Sequence, residues 1–224
     1  GKLKRLTEPF TKICTLHAAP NALTKLLLWG DSHADALKFV FQQQAQKERF
    51  SFYLNKANCS AGDMQGACGD SAGILNDIVD MGINTVVLHS SISGYNPAVQ
   101  DNLERIINQL VARKIAVHVI YPMPVFKAGN PRYMLEVLNR GDELAQPNLT
   151  LARYNSAIET HLQFEKRIAS ALPAVQFHKT FPIMCPNAQC QSHENYRVYY
   201  FDSHHLTRFG ASKFSALIPE IIQQ

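Results

Sequence analysis

The chain has 224 residues, 46% of them apolar and 18% charged, which suits an ordinary globular core and excludes a disordered chain. The net charge of +4 comes from scattered lysines and arginines with no dense basic cluster, which argues against a nucleic-acid-binding surface. No apolar run approaches the ~20 residues of a membrane span, and the opening residues are not expected to be a signal peptide. The opening GKLKRLTEPF reads as a linker entered partway. Residues 1–20 are therefore expected to be a linker or N-terminal extension of a longer protein, and residues 21–224 a single domain.

Short apolar runs and amphipathic stretches then alternate. TKLLLWG, ending at Gly30, reads as a buried strand, and SHADALKFVFQQQAQKE follows with helical periodicity, Ala34, Leu37, Val40 and Phe41 sharing a face. FSFYL is a second strand, and SAGILNDIVDMG a helix closed by Gly82. NTVVLHS is a third strand, and NPAVQDNLERIINQLVARK a long amphipathic helix with Pro97 in its first turn. IAVHVIYPMP is a fourth strand stopped by Pro122. Residues 127–150 are the expected long surface excursion. TLARYNSAIETHLQFEKRIASAL predicts one helix, AVQFHKT a fifth strand, and LTRFGASKFSALIPEIIQQ a closing helix that contains Gly210. Strands apolar on both faces, alternating with helices, predict an α/β domain: a three-layer α/β/α sandwich with a mostly parallel sheet.

Five cysteines lie at positions 14, 59, 68, 185 and 190. The close pairs Cys59/Cys68 and Cys185/Cys190 sit in polar, loop-like sequence and suggest local disulfides and an oxidising compartment. The competing reading is a metal site, because His193 follows Cys190 and His178 lies nearby, although these spacings match no standard zinc finger or ribbon. No metal is expected. Cys14 is left over as a buried thiol.

In an open parallel sheet, sites form at the carboxyl ends of the strands. Gly30-Asp31-Ser32-His33 stands there, at the start of a helix whose first amides and dipole can stabilise a developing oxyanion. A serine hydroxyl needs a base and a group that orients the base. In YYFDSHHLTRFGA, Asp202 and His205 are three apart just before the closing helix, a spacing that lets Asp202 bind Nδ1–H of His205 and leaves Nε2 for Ser32. The plainer reading has Asp31 or Ser32 capping one helix and Asp202 or Ser203 the other. Trp29 is expected in the core, and His33 is expected to pack or cap.

GDSHA and DSHH resemble the first and last blocks of the SGNH (GDSL-like) hydrolases, whose fold is flavodoxin-like. LLLWGDSHADAL, the Cys59/Cys68 pair, TVVLHSS, VIYPMP, CPNAQC and VYYFDSHHLTRFGA together resemble the extracytoplasmic SGNH domain at the C-terminus of acyltransferase family 3 membrane proteins, over residues 24–213. Those proteins O-acetylate cell-surface glycans such as lipopolysaccharide O-antigen. The resemblance implies Ser32 as nucleophile, His205 as base and Asp202 as its orienter, with Asp31 bracing the nucleophile turn. SGNH enzymes take two further oxyanion donors from a Gly in the second block and an Asn in the third, and this sequence has no clear G-x-N-D. Gly62 or Gly66 is the candidate for the first. Ser90, Ser91 and Asn96 are candidates for positioning substrate, where the fused domains often carry Arg-Trp, and His204 for binding a sugar or carboxylate.

The expectation is therefore acyl transfer, acetyl by preference, through an acyl-serine. No cofactor is expected beyond the acyl donor as substrate. The implied partners are a glycan acceptor and a membrane-embedded acyltransferase region in the same polypeptide. The implied location is periplasmic or otherwise extracytoplasmic, tethered to the inner membrane. Three alternatives stand beside it: a free-standing carbohydrate acetylesterase, a glycan-binding module with little activity, and a metal-dependent domain built on Cys185, Cys190 and His193.

Overall fold

A computed structural model describes residues 13–56, 60–63, 71–126, 136–137, 139–140 and 146–223. Strands β1 (Ile13–His17), β2 (Lys25–Gly30), β3 (Ser51–Lys56), β4 (Thr85–His89), β5 (Ala116–Ile120) and β6 (Gln176–His178) form one sheet in the order β1-β3-β2-β4-β5-β6. All neighbours run parallel except β1, which pairs antiparallel with β3. The helices are α1 (Ser32–Glu48), α2 (Ser71–Asp80), α3 (Pro97–Ala112), α4 (Leu151–Ala157), α5 (Glu159–Ala171), α6 (Phe181–Met184), α7 (Arg208–Ser212) and α8 (Leu217–Ile222). A small antiparallel pair, β7 (His193–Glu194) with β8 (Arg197–Val198), lies between α6 and α7.

The strands are apolar on both sides because both faces are covered. Alternate residues of β2 go to opposite layers: Leu26 and Leu28 join Leu37 and Phe41 of α1 and Leu217 and Ile221 of α8, while Leu27 and Trp29 join Ile74 of α2, Leu103 and Ile107 of α3 and Phe164 of α5. Helix α1 starts at Asp31, whose carboxylate accepts from the His33 amide. Asn96 caps α3 in the same way, with Pro97 in its first turn.

The order β3-β2-β4 means that the chain leaves β2 toward one edge of the sheet and later returns to its other side. The crevice at such a reversal is where α/β folds place ligands. Here Gly30 pairs with His89, so the residues after β2 and those after β4 face one another across that crevice. A Cβ on Gly30 would lie 1.6 Å from the His89 carbonyl oxygen, so only glycine permits this approach.

Several expectations change. Residues 13–17, expected within a linker or N-terminal extension ending at residue 20, are the edge strand of the sheet. Pairing with β3 recruits them, and only β3's position reveals that the edge needs a partner. Cys14 lies exposed on that strand, not buried. The helix expected from Thr150 bends at Ile158 (φ −106°, ψ 18°), which sends Tyr154 and Ile158 into one layer's core and Phe164 and Ile168 into the other's. The closing helix is two, α7 and α8. Pro219 inside one continuous helix would clash with the Ser215 carbonyl, but it is accommodated in the first turn of α8. Gly210 is required where α7 meets Tyr199, since a Cβ would lie 2.1 Å from its carbonyl oxygen. Cys185 and Cys190 form a disulfide, so neither offers a thiolate to a metal. The Gln146 side chain bonds to the His193 ring, and the His178 ring bonds to His118. Cys59, Cys68 and Gly66 lie outside the described residues.

Buried histidines make the fold sensitive to acid. Burial, with His89 beside His33 and His161 and His178 beside His118, holds the His33, His118 and His161 rings down at about 3, about 4 and about 3. They stay neutral in the fold, whereas the unfolded chain protonates them below about 6.5. The unfolded state then binds more protons, so stability falls as pH drops from about 6.5 toward those values, by about 1.4 kcal/mol per pH unit for each ring. The expected result is a steep loss of melting temperature between pH 6.5 and 5. His161 packs edge-on against Tyr95 and Tyr121, and neither ring nitrogen has a protein partner among the described residues. His161→Phe should therefore make the loss shallower. Equal melting temperatures at pH 7 and 5 would refute this account.

Candidate active site

Ser32 opens α1 at the carboxyl end of β2, with its side chain exposed. His205 and Asp202 come from the loop between β8 and α7. That loop is closed by the Tyr200–Leu206 bridge and by the Phe201 amide on the His205 carbonyl. Thr207, not Asp202 or Ser203, caps α7 through the Gly210 amide, and its hydroxyl also donates to Val198. The loop is thus fastened at both ends, and its acid is left for other work.

The three side chains form one relay. Ser32 Oγ lies 2.7 Å from His205 Nε2, and His205 Nδ1 lies 2.6 Å from Asp202 Oδ2. The other Asp202 oxygen accepts the backbone amides of His204 at 2.9 Å and His205 at 2.7 Å. One carboxylate therefore shapes the loop and orients the ring. Burial raises the Asp202 carboxyl, but the two amides and the His205 ring outweigh it and hold the group at about 2. The charged acid selects the tautomer with hydrogen on Nδ1 and leaves the Nε2 lone pair for the Ser32 hydroxyl. Phe201 stacks on the His205 ring at 5.3 Å and limits its rotation.

Asp31 ties the two sides of the crevice. Its Oδ1 accepts from the His33 amide and its Oδ2 from the Ser91 amide, each at 2.9 Å. Both donors are thereby withheld from substrate. The Ser32 amide, in the first turn, has no acceptor within the helix. Asp31→Ala should lower stability by about 1–3 kcal/mol, the loss of a helix cap plus an unsatisfied amide. Asp31→Asn, which keeps one acceptor oxygen, should recover most of it. Thermal melts of both variants check this, and an unchanged Asp31→Ala melt would sink it.

Other expected residues divide. A cleft of about 500 Å³ holds Ser32, His205, His204 and Ser91 at its walls, so His204 and Ser91 reach it. Ser90, Asn96 and Gly62 are not among its lining residues. Ser90 is buried, and Asn96 caps α3. Gly62 packs against the α3 backbone, where a Cβ would lie 2.3 Å from the Val99 carbonyl oxygen. The cleft also takes Ile92, Ser93 and Val125, which the sequence reading missed. Their only signal was position, just beyond the ends of the third and fourth predicted strands. The amide of Phe126 on the Ser203 carbonyl pins the Val125 segment to the loop that holds Asp202 and His205.

His33 is buried against the site, its ring 5.2 Å from His204 and 5.0 Å from His205. Ring nitrogens of these three histidines lie within 4.8 Å of one another, the composition of a three-nitrogen metal site. His205 already uses Nδ1 on Asp202 and Nε2 on Ser32, and His204 uses Nδ1 on Ser203. A metal held by all three rings would have to take His205 Nε2 from the serine.

Comparison with known proteins agrees with this topology. The family model described as the SGNH domain fused to AT3 domains matches residues 4–220. No curated protein matches. Among solved structures, the lipopolysaccharide acetyltransferase periplasmic domain of Salmonella ser. Paratyphi A is 18% identical, over 89% of this chain and 84% of that one, with a TM-score of 0.66, a likeness of fold. A GDP-L-fucose synthetase from Naegleria fowleri is 10% identical over 78% and 53% of the two chains, with a TM-score of 0.34, too low to carry an argument.

Proposed function

The chain belongs to the family of SGNH domains fused to AT3 domains, and from that membership we propose that it transfers an acyl group, acetyl by preference, to a hydroxyl of a cell-surface glycan. The observation that carries this reading is the unbroken relay from Ser32 through His205 to Asp202 at the crevice. The fold likeness to a lipopolysaccharide acetyltransferase domain supports the choice of glycan as acceptor. The Cys185–Cys190 disulfide suits an oxidising, extracytoplasmic setting. A membrane-embedded region of the same polypeptide would tether the domain and bring the acyl group to it. No helix among the described residues is long and apolar enough to cross a membrane itself.

The reaction runs in two halves. His205 Nε2 takes the proton of Ser32 Oγ as that oxygen attacks the acyl carbonyl carbon. The tetrahedral intermediate places its oxyanion near the Ser32 amide. Collapse breaks the bond to the donor's leaving group, which takes the proton from His205, and leaves acyl-Ser32. A glycan hydroxyl then gives its proton to Nε2 and attacks the acyl carbon, and Ser32 leaves with that proton. Asp202 stays ionised throughout and stabilises the imidazolium at each stage. In this reading Ser32, His205 and Asp202 handle the proton and the acyl group, and the Ser32 amide is the oxyanion donor.

The test is covalent labelling with a small fluorophosphonate, read by intact mass and peptide mapping. One adduct on Ser32, lost in His205→Ala, is the expected result. Failure to label the full-length protein would overturn the reading in favour of a glycan-binding module. The cleft is open and Ser32 exposed, which favours water as a second acceptor. Competition between added glycan and water for the acyl group separates transferase from esterase.

A further inference from the structure

A second cleft, of about 440 Å³, runs along the outer side of α1 where it meets β8 and α7. Its size falls within the range of small-molecule sites. Two arginines set its character. The Arg197 guanidinium lies 3.7 Å from the centre of the Phe209 ring, and that of Arg208 lies 4.0 Å from the centre of the Phe39 ring. The ring contact restrains each guanidinium through its face while its N–H groups remain able to donate. Neither arginine pairs with a carboxylate among the described residues. Glu194 stands across the hairpin from Arg197, and its carboxylate binds Lys213 at 2.5 Å. Two cations thus face one cavity with no carboxylate paired to either among the described residues. Gln43 and Gln46 line the same cavity and add amide donors and acceptors suited to sugar hydroxyls.

The cleft is in line with the active site. Phe39 follows Ser32 by seven residues and Gln46 by fourteen, all in one unbroken helix. Seven residues are nearly two turns, so these side chains share a face, about 10 and 21 Å from Ser32 along the axis. At the other wall, Arg208 follows His205 by three residues and starts α7. A chain-like ligand with its reacting hydroxyl at Ser32 would run along the α1–α7 seam into the two arginines.

We propose that this cleft is an acceptor subsite for an oxyanion-bearing sugar unit of the glycan, held several ångströms from the unit being acylated. The inference rests on the acyl-transfer reading and adds to it a substrate class, an anionic glycan. Paired guanidiniums recognise a carboxylate or phosphate on the sugar, and the glutamine amides read its hydroxyls. The subsite orients the acceptor without touching the reacting atoms.

The test is titration of the protein with tetragalacturonate, maltotetraose and inorganic phosphate, followed by amide chemical shifts at low salt. Tetragalacturonate should shift the amides of α1 and α7, and the double variant Arg197→Gln/Arg208→Gln should weaken that binding at least tenfold. Maltotetraose and phosphate alone should each bind at least tenfold more weakly than tetragalacturonate. The proposal is overturned if the parent protein does not bind tetragalacturonate, if the double variant binds it equally well, or if maltotetraose or phosphate matches it. The fluorophosphonate adduct on Ser32 should form at the parent rate in the double variant. A missing adduct in both proteins strikes the acyl-transfer reading, whereas a normal adduct without tetragalacturonate binding strikes the subsite alone.

Discussion

Ser32→Ala should abolish turnover of p-nitrophenyl acetate, with a loss of roughly 10^4- to 10^6-fold in kcat, while the melting temperature stays within a degree or so of the parent. The loss follows from the proposed acyl transfer, in which the Ser32 hydroxyl carries the acyl group; that hydroxyl bonds to His205 Nε2. The stability is spared because that side chain is exposed and the cap of α1 belongs to Asp31. His205→Ala should cost about as much, and Ser32→Ala/His205→Ala no more than either single change, since the two act as a unit. Asp202→Asn should fall by about 10^4-fold, because an amide no longer selects the Nδ1–H tautomer. A Ser32→Ala protein that keeps turnover within tenfold of the parent would remove Ser32 from the chemistry.

Gly30→Ala should have the largest effect on the fold of any single methyl addition near the site. The added Cβ would meet the His89 carbonyl oxygen at 1.6 Å and its carbon at 2.7 Å, and both are backbone atoms within paired strands. Neither can swing aside as a side-chain tip could, so β2 and β4 must separate. Overpacking of this kind destabilises by about 3 kcal/mol or more. For a chain of this length that is a fall of about 6–12 °C in melting temperature. Ser32 is two residues on, so labelling by fluorophosphonate should slow as well. The check is a thermal melt beside a labelling time course. A melt unchanged within a degree would show that the crevice is looser than the strand register implies.

Much of the site was legible because its parts are short and local. Asp202 and His205 are three residues apart in one loop, and Asp31, Ser32 and His33 are contiguous at a strand end. Turn and cap chemistry act over two to four residues, so spacing alone reveals what can meet. Helix α1 begins and ends where its apolar periodicity does, Ser32 to Glu48. The roles imagined for Ser90, Asn96 and Gly62 were not legible in the same way. Each sits near a strand end or loop where a cleft residue would sit, yet local packing turns it elsewhere: Ser90 inward, Asn96 to the Val99 amide, Gly62 to the α3 backbone.

By itself the sequence pointed to the alternation of elements, a mostly parallel core, and a serine, a histidine and an aspartate as the candidate site residues. The elements follow from periodicity within each segment, and the candidate residues from local spacing together with the family resemblance. Only the tertiary structure decided what lies between segments. Ser32 and His205 are separated by 173 residues and meet at 2.7 Å because the loop before α7 reaches the carboxyl end of β2. Asp31 crosses to the Ser91 amide because β2 and β4 are neighbours. Residues 13–17 become a strand because β3 leaves an edge to pair. Residues brought together by strand order leave no trace in local spacing, and strand order is settled by packing the whole chain at once.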